Sequence, residues 1–237
     1  MEYSVIIPVF NEEESLQILY SKIKKVMQDI EKEYEVIFVD DASTDNSLEI
    51  IKELKNKYSS SIKIISFKSR RGQSTALWAG FKKASGKWII TLDADLQNDP
   101  EDIKIFLPFQ KSYDFITGIR KDRKDTFFKK MASKIAYLCR RIVLKDDTLD
   151  VGCSLRMFRR EILDNFPFFK NFHRFFPYLV KITGYRTVQV YVNHYPRRFG
   201  KSKYGIWRRF IEGVFDLWGV WWLKRRVMKY EVKFEQS

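Results

Sequence analysis

The chain has 237 residues, a length that favours one large domain with a short appendage over two full domains. Hydrophobic residues make up 45% of it, enough for a real core, which excludes a globally disordered protein. Lysine and arginine number 44 against 30 for aspartate and glutamate, and this net charge of +14 predicts an anionic partner: nucleic acid, acidic lipid or a phosphorylated substrate.

Short apolar runs alternate with helical patterns through the first half of the chain. The runs predict strands over residues 3–7, 35–39, 62–67 and 88–92. Apolar residues at helical spacing predict helices over residues 16–30, 46–58 and 74–84, with Ser43 or Asp45 as the N-cap of the second. Another helix is predicted to begin at Pro100, capped by Asp99. This alternation predicts an α/β fold with a mostly parallel sheet flanked by helices.

The second half of the chain is basic and aromatic. Residues 119–134 are rich in lysine and arginine, and residues 166–178 are rich in phenylalanine. From Trp207 to Trp222, aromatic and aliphatic residues recur at spacings of three and four, which predicts an amphipathic helix. We therefore expect a main domain over residues 1–204 and a C-terminal amphipathic helix within residues 205–237. The stripe of that helix either packs on the domain or lies in a membrane interface.

Several common signals are absent from the sequence. The N-terminal residues predict a strand rather than a signal peptide, and no apolar run reaches the roughly 18–20 residues of a membrane-spanning helix. Cys139 and Cys153 are too few for a disulfide framework and fit reduced thiols. His173 and His194 have no partners at zinc-ligand spacing. We expect a cytoplasmic protein that is soluble or peripheral on the cytoplasmic face of a membrane.

The most informative motif follows the fourth predicted strand. Asp93 and Asp95 are two residues apart, so on extended chain their carboxylates point to the same side, and Gln97 adds a third oxygen at the same spacing. Carboxylate and amide oxygens suit Mg²⁺ or Mn²⁺, which would neutralise a diphosphate leaving group. A solvated turn with helix-capping acids would give the same pattern. A second acidic cluster upstream favours the metal interpretation.

That upstream cluster follows the second predicted strand, where Asp40 and Asp41 are placed to accept hydrogen bonds from a nucleobase or ribose. Helix capping by Ser43 or Asp45 also explains this turn, and we expect it as well. The first strand runs into another polar turn at Asn11 and Glu12. Because ligands of parallel sheets bind beyond the carboxyl ends of the strands, three polar turns at such ends predict a nucleotide site.

These segments together carry a resemblance. Residues 7–12 (IPVFNE), 39–45 (VDDASTD) and 92–97 (LDADLQ) resemble family 2 glycosyltransferases of the GT-A fold. Residues 150–156, 173–177 and 194–205 resemble the polyprenol-phosphate branch, which includes dolichol-phosphate mannose synthases and bacterial undecaprenyl-phosphate sugar transferases. The resemblance runs from about residue 3 to residue 228 and makes the main domain a catalytic one.

The resemblance implies roles for individual residues. A nucleotide site would be lined by Pro8, Val9, Asn11, Glu12, Asp40, Asp41 and Asp93. The metal, Mg²⁺ or Mn²⁺, and the diphosphate would be held by Asp93, Asp95 and Gln97. The acceptor phosphate and the leaving diphosphate would be bound by Arg120, Lys129, Ser133, Arg197 and Lys203. Two departures stand out: Arg70 replaces a usual Asn, and Lys129 and Lys130 replace a common Arg, which removes the bidentate fork but keeps the charge.

A phosphate acceptor changes what catalysis requires. Its second pKa is about 6, so it is already a nucleophile at neutral pH and needs no strong general base. The site must instead overcome repulsion between two phosphates, by cations and positioning. Basic segments at residues 120–134 and 197–203 supply that charge without invoking nucleic acid. Asp150 would orient either the acceptor or Arg156, and the resemblance implies inversion at the anomeric carbon.

The expected donor is GDP-mannose or UDP-glucose, with mannose favoured, and the expected acceptor is a dolichyl or undecaprenyl phosphate at a membrane surface. A homo-oligomer and a separate membrane subunit both stay open. One alternative is a family 2 transferase for a soluble or polysaccharide acceptor, although the Gln-x-x-Arg-Trp motif of processive synthases is absent. Another is a basic nucleic-acid-binding protein, against which the paired acids argue.

Overall fold

The computed structural model describes residues 1–58, 61–121, 127–164, 166–197 and 206–226. The strands are β1 (Tyr3–Val9), β2 (Tyr34–Asp40), β3 (Ile62–Ser66), β4 (Trp88–Thr91), β5 (Phe115–Arg120), β6 (Arg156–Arg159) and β7 (Thr187–Val192). The α-helices are α1 (Glu13–Ile30), α2 (Ser47–Lys57), α3 (Gln73–Lys83), α4 (Ile103–Phe106), α5 (Phe127–Leu144), α6 (Phe176–Ile182) and α7 (Ile206–Lys224). Short 3₁₀ turns precede α4 and α6, at Pro100–Asp102 and Phe172–Arg174.

The seven strands form one sheet in the order β3-β2-β1-β4-β6-β5-β7. Every neighbouring pair is parallel except the two that involve β6, which runs antiparallel to both β4 and β5. The predicted α/β fold with a mostly parallel sheet is confirmed. As a result, the carboxyl ends of β1, β2, β4, β5 and β7 meet the amino end of β6 at one edge, called here the ligand edge.

Helices cover both faces of the sheet, which is why its central strands are continuously apolar. Val5 and Ile7 of β1 pack in a cluster with α1 and α2, while Ile6 packs in a second cluster with α3 and α6. Helix α3 lies very close to β1, since a Cβ added at Gly80 would stand 2.5 Å from Cγ2 of Ile6. The turn that follows β1 therefore extends from a strand that is packed closely on both faces.

The phenylalanine-rich segment after β6 is part of the core. Phe176 on α6 lies with its ring centroid 5.0 Å from Phe158, 5.1 Å from Phe115 and 4.8 Å from Phe166, all in edge-to-face arrangements. Such pairs add to the free energy gained from burying their area. This cluster carries the chain back from β6 towards the ligand edge, where His173 lies.

The predicted N-cap of the second helix is wrong. Asn46 occupies the N-cap position of α2, and its side chain makes no capping bond. Asp45 accepts the N–H of Ser47 at 3.0 Å and also that of Glu13, at the start of α1, at 3.3 Å, and the Ser43 hydroxyl accepts the N–H of Asn11 at 3.0 Å. These side chains tie the turn after β2 to the turn after β1. The cap at Asp99 is confirmed, since its carboxylate accepts the N–H of Glu101 at 3.3 Å.

Helices α5 and α7 pack against each other on the outside of the domain. Val220 of α7 is fully buried, and the Lys224 ammonium donates to the Leu144 carbonyl at the end of α5 at 2.7 Å. Other apolar side chains of both helices point into solvent, and they are called here the apolar helix face. Its members are Met131, Ile135, Leu138 and Ile142 on α5, and Val214, Phe215, Trp218 and Trp222 on α7.

The division of the chain at residues 204 and 205 stays a prediction, because residues 198–205 lie outside the described residues. Among the helices that the structure describes, none combines the length and the apolar character needed to cross a bilayer.

Candidate active site

The ligand edge brings most of the predicted site residues together, because the turns that carry them follow adjacent strands. The predicted residues found there are Pro8, Val9, Asn11, Glu12, Asp40, Asp41, Asp93, Asp95, Gln97, Arg120, Asp150 and Arg197. Ser133 lies on α5 with an exposed side chain. The side chain of Lys129 and the whole of Lys203 fall outside the described residues.

Three of these turns contain a non-glycine residue in the left-handed conformation. Asn11, Ala42 and Leu96 have φ angles of 53°, 58° and 59°, just after β1, β2 and β4. Asparagine tolerates this conformation, whereas alanine and leucine do not adopt it without strain. The backbone of each turn is thus bent sharply at the point where a ligand of the sheet would lie.

The turns after β1 and β2 are joined by hydrogen bonds. Asn11 donates from Nδ2 to the Thr44 hydroxyl at 3.0 Å and accepts the Thr44 N–H at 2.8 Å. Asp40 is buried and accepts from the Ser43 N–H at 3.1 Å and the Ser66 hydroxyl at 2.9 Å. These hydrogen bonds hold the two turns together at the ligand edge. The nucleotide-binding roles of residues 8–12, 40 and 41 stay predictions.

Asp41 fixes the start of α3. Its two carboxylate oxygens accept the N–H groups of Arg71 and Gly72, and Gly72 has a φ of 88° that favours glycine. The next residue, Gln73, donates from Nε2 to Asp93 Oδ1 at 2.8 Å. Sequence reasoning missed this connection between the turns after β2 and β4, although the Arg-Arg-Gly-Gln stretch was visible as a turn signal.

Asp93 and Asp95 lie side by side after β4. Burial, with a smaller contribution from the neighbouring charge of Asp95, raises the pKa of Asp93 to about 6. Ser154, Arg156 and Arg120 act in the opposite direction on this pKa, which places two guanidinium groups near the carboxylate. A divalent cation would favour the ionised form of Asp93 and would offset the repulsion between the two adjacent carboxylates.

The donor set fits Mg²⁺ or Mn²⁺. Within the described ranges, no cluster of three or more His, Cys, Asp or Glu side chains is arranged to hold a metal, so Asp93 and Asp95 would be the only carboxylate ligands they supply. Mg²⁺ commonly uses one or two carboxylates and completes its shell with water and substrate phosphates. Gln97 donates from Nε2 to the Tyr195 carbonyl at 3.4 Å, and its role as a third ligand stays a prediction.

Arg197 reaches back from the chain after β7 to the acidic pair. Its Nη2 donates to Asp95 Oδ2 at 2.7 Å, and its Nη1 lies 3.4 Å from Glu12 Oε1. The side chains of Asp95 and Glu12 are only 8% and 11% exposed, so both acids are largely removed from water. The guanidinium thus joins the turns after β1 and β4.

Asp150 binds Arg120, which was not among the partners expected for it, and its expected role in orienting the acceptor stays a prediction. Arg120 donates from Nε at 2.7 Å and from Nη2 at 2.8 Å to the two carboxylate oxygens. Arg156 donates instead to the carbonyls of Val151 at 2.9 Å and His173 at 3.0 Å. Burial lowers the pKa of Arg156 to about 10, so this guanidinium keeps its charge at neutral pH.

Two further residues hold the loop before β6 against the acidic motif. The Ser154 hydroxyl accepts the N–H of Asp93 at 3.2 Å and donates to Asn98 Oδ1 at 3.0 Å. Sequence reasoning did not single out either contact, because they join positions more than fifty residues apart. They hold Asp150 and Arg120 at the same edge as Asp93.

Comparisons with known proteins agree with this geometry. The family model described as Glycosyl transferase family 2 matches residues 4–166. The crystal structure of glucosyl-3-phosphoglycerate synthase from Mycobacterium tuberculosis in complex with Mn²⁺, UDP and phosphoglyceric acid has a TM-score of 0.67 and 18% identity, over 92% of this chain and 78% of that chain. The same synthase was also solved with Mg²⁺ and UDP.

A second similar structure is that of S. aureus TarS 1-349 in complex with UDP, with a TM-score of 0.61 and 21% identity, over 98% of this chain and 67% of that chain. At these identities the likeness establishes the fold alone, and it confirms the predicted GT-A architecture. The family match covers more than half of the chain, from β1 to the aromatic segment after β6. The protein therefore belongs to glycosyl transferase family 2.

Proposed function

We propose that this glycosyltransferase moves a hexose from a nucleoside diphosphate sugar to a polyprenyl phosphate at a membrane surface. The observation that carries the proposal is that two acids and two guanidinium groups lie at one sheet edge: Arg197 pairs with Asp95, and Arg120, which is held by Asp150, lies close enough to lower the pKa of Asp93. Acids beside cations suit a reaction in which two phosphate groups approach each other. The donor would be GDP-mannose or UDP-glucose.

Asp93 and Asp95 would hold Mg²⁺ or Mn²⁺, which when bound supplies Lewis-acid stabilisation of the departing diphosphate. The metals and UDP in the similar synthase structures support this choice. The protein's own part is positioning. Asp41 and Gln73 fix the loop before α3 relative to Asp93, and Ser154 fixes the loop that carries Asp150, so donor and acceptor groups would meet in a preorganised site.

Arg120 is one of the described cations that are placed to attract an acceptor phosphate. It lies at the end of β5, just before the basic segment that leads to α5, and Asp150 holds its guanidinium in a fixed orientation. A phosphate monoester is mostly dianionic at neutral pH, so orientation and charge suffice and no general base is needed. The attack would be in line, with inversion at the anomeric carbon.

The apolar helix face supports a lipid-linked acceptor. Phe215 and Trp218 of α7 are 74% and 68% exposed, and Ile142 of α5 is 69% exposed. Aromatic side chains of this kind partition into the interface of a bilayer. Because α5 begins a few residues after Arg120, the same helix would link the membrane contact to the acceptor site. We therefore propose a peripheral protein on the cytoplasmic face of a membrane.

A soluble acceptor is the second candidate. The synthase that resembles this chain was solved with phosphoglyceric acid, and the comparisons favour such an acceptor over a polyprenyl phosphate. It would also bring an anionic group to Arg120. The two candidates differ in where the sugar ends, either on a lipid or in a water-soluble product.

The experiment is a transfer assay with labelled GDP-mannose, UDP-glucose and UDP-N-acetylglucosamine and Mn²⁺. Each donor is incubated with undecaprenyl phosphate in vesicles, with phosphoglycerate, or with no acceptor. Label that enters the organic phase only with undecaprenyl phosphate supports the lipid acceptor, and a soluble product made only with phosphoglycerate supports the second candidate. Asp95→Asn is the inactive control. Hydrolysis alone with every acceptor contradicts both.

A further inference from the structure

The chain that follows β7 is held by hydrogen bonds to the segment that contains Asp95 and Asp102. Asn193 donates from its N–H and its Nδ2 to the two oxygens of Asp102, at 2.6 Å and 2.7 Å, and Asp102 is only 2% exposed. Two residues on, the Tyr195 N–H donates to the Gln97 carbonyl at 2.9 Å. Arg197 then pairs with Asp95. Residues 193–197 are called here the β7 strap.

The end of the strap occupies the carboxylate that a metal would use. Arg197 Nη2 donates to Asp95 Oδ2 at 2.7 Å, and the Gln97 N–H donates to Asp95 Oδ1 at 3.2 Å. Charge-assisted bonds of this length, between groups largely removed from water, are the stronger kind of hydrogen bond. A guanidinium and a divalent cation on the same carboxylate oxygen would also repel each other strongly at that distance.

We infer that Arg197 and a divalent cation compete for Asp95, so that a divalent cation occupies Asp95 only when Arg197 leaves it. The inference rests on the proposed function, which assigns the metal to Asp93 and Asp95. It adds that the strap opposes binding of the bare metal. Metal binding is then favoured by any other anion that can pair with the guanidinium.

The diphosphate of the donor is such a partner. It brings negative charge to the edge where Arg197 lies, so the guanidinium exchanges one anion for another while the metal takes Asp95. Metal and nucleotide then bind cooperatively, and by linkage each raises the affinity of the other by the same factor. The anchor between Asn193 and Asp102 keeps Arg197 within reach throughout, which gives the internal cation a high effective concentration.

The test measures Mn²⁺ binding to the purified full chain without nucleotide, from the EPR signal of free Mn²⁺. Arg197→Gln should bind bare Mn²⁺ at least about tenfold more tightly than the wild type, and Arg197→Lys, which keeps the charge without the fork, should fall between them. Lys22→Gln is the matched control. Lys22 is an exposed cation at the same edge, paired with Asp99 at 3.3 Å, and its loss should change the affinity less than about twofold.

The titration is then repeated with saturating UDP or GDP, whichever the transfer assay selects. The wild type should gain strongly in Mn²⁺ affinity, and Arg197→Gln should gain much less. Equal or weaker bare-metal binding by Arg197→Gln overturns the inference while leaving the metal assignment intact. If Lys22→Gln and Arg197→Gln raise the affinity for bare Mn²⁺ equally, the effect is one of net charge and the inference is overturned. Absence of Mn²⁺ binding in every variant, with or without nucleotide, overturns the metal assignment and the inference together.

Discussion

Asp150 clamps Arg120 through three hydrogen bonds, two from the guanidinium at 2.7 Å and 2.8 Å and one from the backbone N–H at 3.1 Å. The clamp leaves little space beside it. A Cβ added at Gly152 would stand 2.5 Å from Nη2 of Arg120. The position of the guanidinium is therefore fixed both by the charge of Asp150 and by the absence of a side chain at residue 152.

Gly152→Ala is expected to push the guanidinium off Asp150 while the fold survives, because the atom it meets is the far end of a flexible side chain. Transfer should fall about tenfold, mainly through a higher KM for the acceptor. Steady-state kinetics with each substrate varied in turn would measure this. Gly213→Ala on α7 is the control, since a Cβ there meets nothing within 4 Å. Unchanged acceptor KM in Gly152→Ala would exclude Arg120 from acceptor binding.

Asp93→Asn is expected to stabilise the metal-free protein near pH 8. Burial raises the pKa of Asp93 to about 6, above its unfolded value, so the folded state binds this proton more tightly than the unfolded state does. Stability from this group is present at low pH and is lost as the pH rises from about 4 through about 6. Urea unfolding without metal at pH 5 and pH 8 would measure it. A variant with no greater advantage at pH 8 than at pH 5 would contradict the prediction.

Glu35→Gln is expected to destabilise the fold by about 1–3 kcal/mol without changing donor affinity. Burial raises the pKa of Glu35, but hydrogen bonds from Lys63, Ser4 and Ser85 outweigh it, so this pKa lies below its ordinary value. Glu35 is the second residue of β2, at the edge opposite the site, and it accepts from the Ser4 hydroxyl at 2.6 Å and the Ser85 N–H at 2.7 Å.

The contribution of Glu35 is present above its unfolded pKa of about 4.3 and is lost as the pH falls through its lower folded pKa. The difference in unfolding free energy between wild type and Glu35→Gln should therefore shrink below pH 4. Chemical denaturation at pH 7 and pH 3.5, with donor binding measured at pH 7, would check both parts. A constant difference across this range would contradict the assignment.

Replacing Phe215, Trp218 and Trp222 together by Ser is expected to lower binding to anionic vesicles at least about tenfold, with little change in thermal stability. Their side chains are already exposed, so the folded protein loses few contacts. Vesicle flotation would measure the binding. Trp78→Ser removes a half-exposed tryptophan from α3 and is the matched control. Flotation that stays equal in all three proteins would exclude the apolar helix face as a membrane contact.

The sequence allowed the parallel part of the sheet to be predicted because each strand there is a buried apolar run that ends in a polar turn. The direction of β6 was not predictable. Its four residues, Arg-Met-Phe-Arg, carry no signal of direction, which is set by pairing with β4 and β5. The N-cap of α2 was mispredicted because Ser43 and Asp45 accept hydrogen bonds from Asn11 and Glu13, which follow β1.

In the site, the spacing of residues within one turn was enough to predict Asp93 and Asp95. It could not predict contacts between residues of different turns. Arg120 and Asp150 are thirty residues apart, and Arg197 meets Asp95 across about a hundred. Local sequence patterns do not show which basic side chain pairs with which acidic one. That pairing depends on the order of the strands at the ligand edge.

The left-handed turns after β2 and β4 have a consequence for evolution and engineering. Glycine would adopt the φ angles of Ala42 and Leu96 without steric conflict, yet the chain keeps side chains at both positions. Each is a locally frustrated residue, whose conformational energy of about 1 kcal/mol or more is offset by the rest of the fold. Selection for thermostability alone would be expected to replace Ala42 and Leu96 by glycine first. The two turns would then become more flexible.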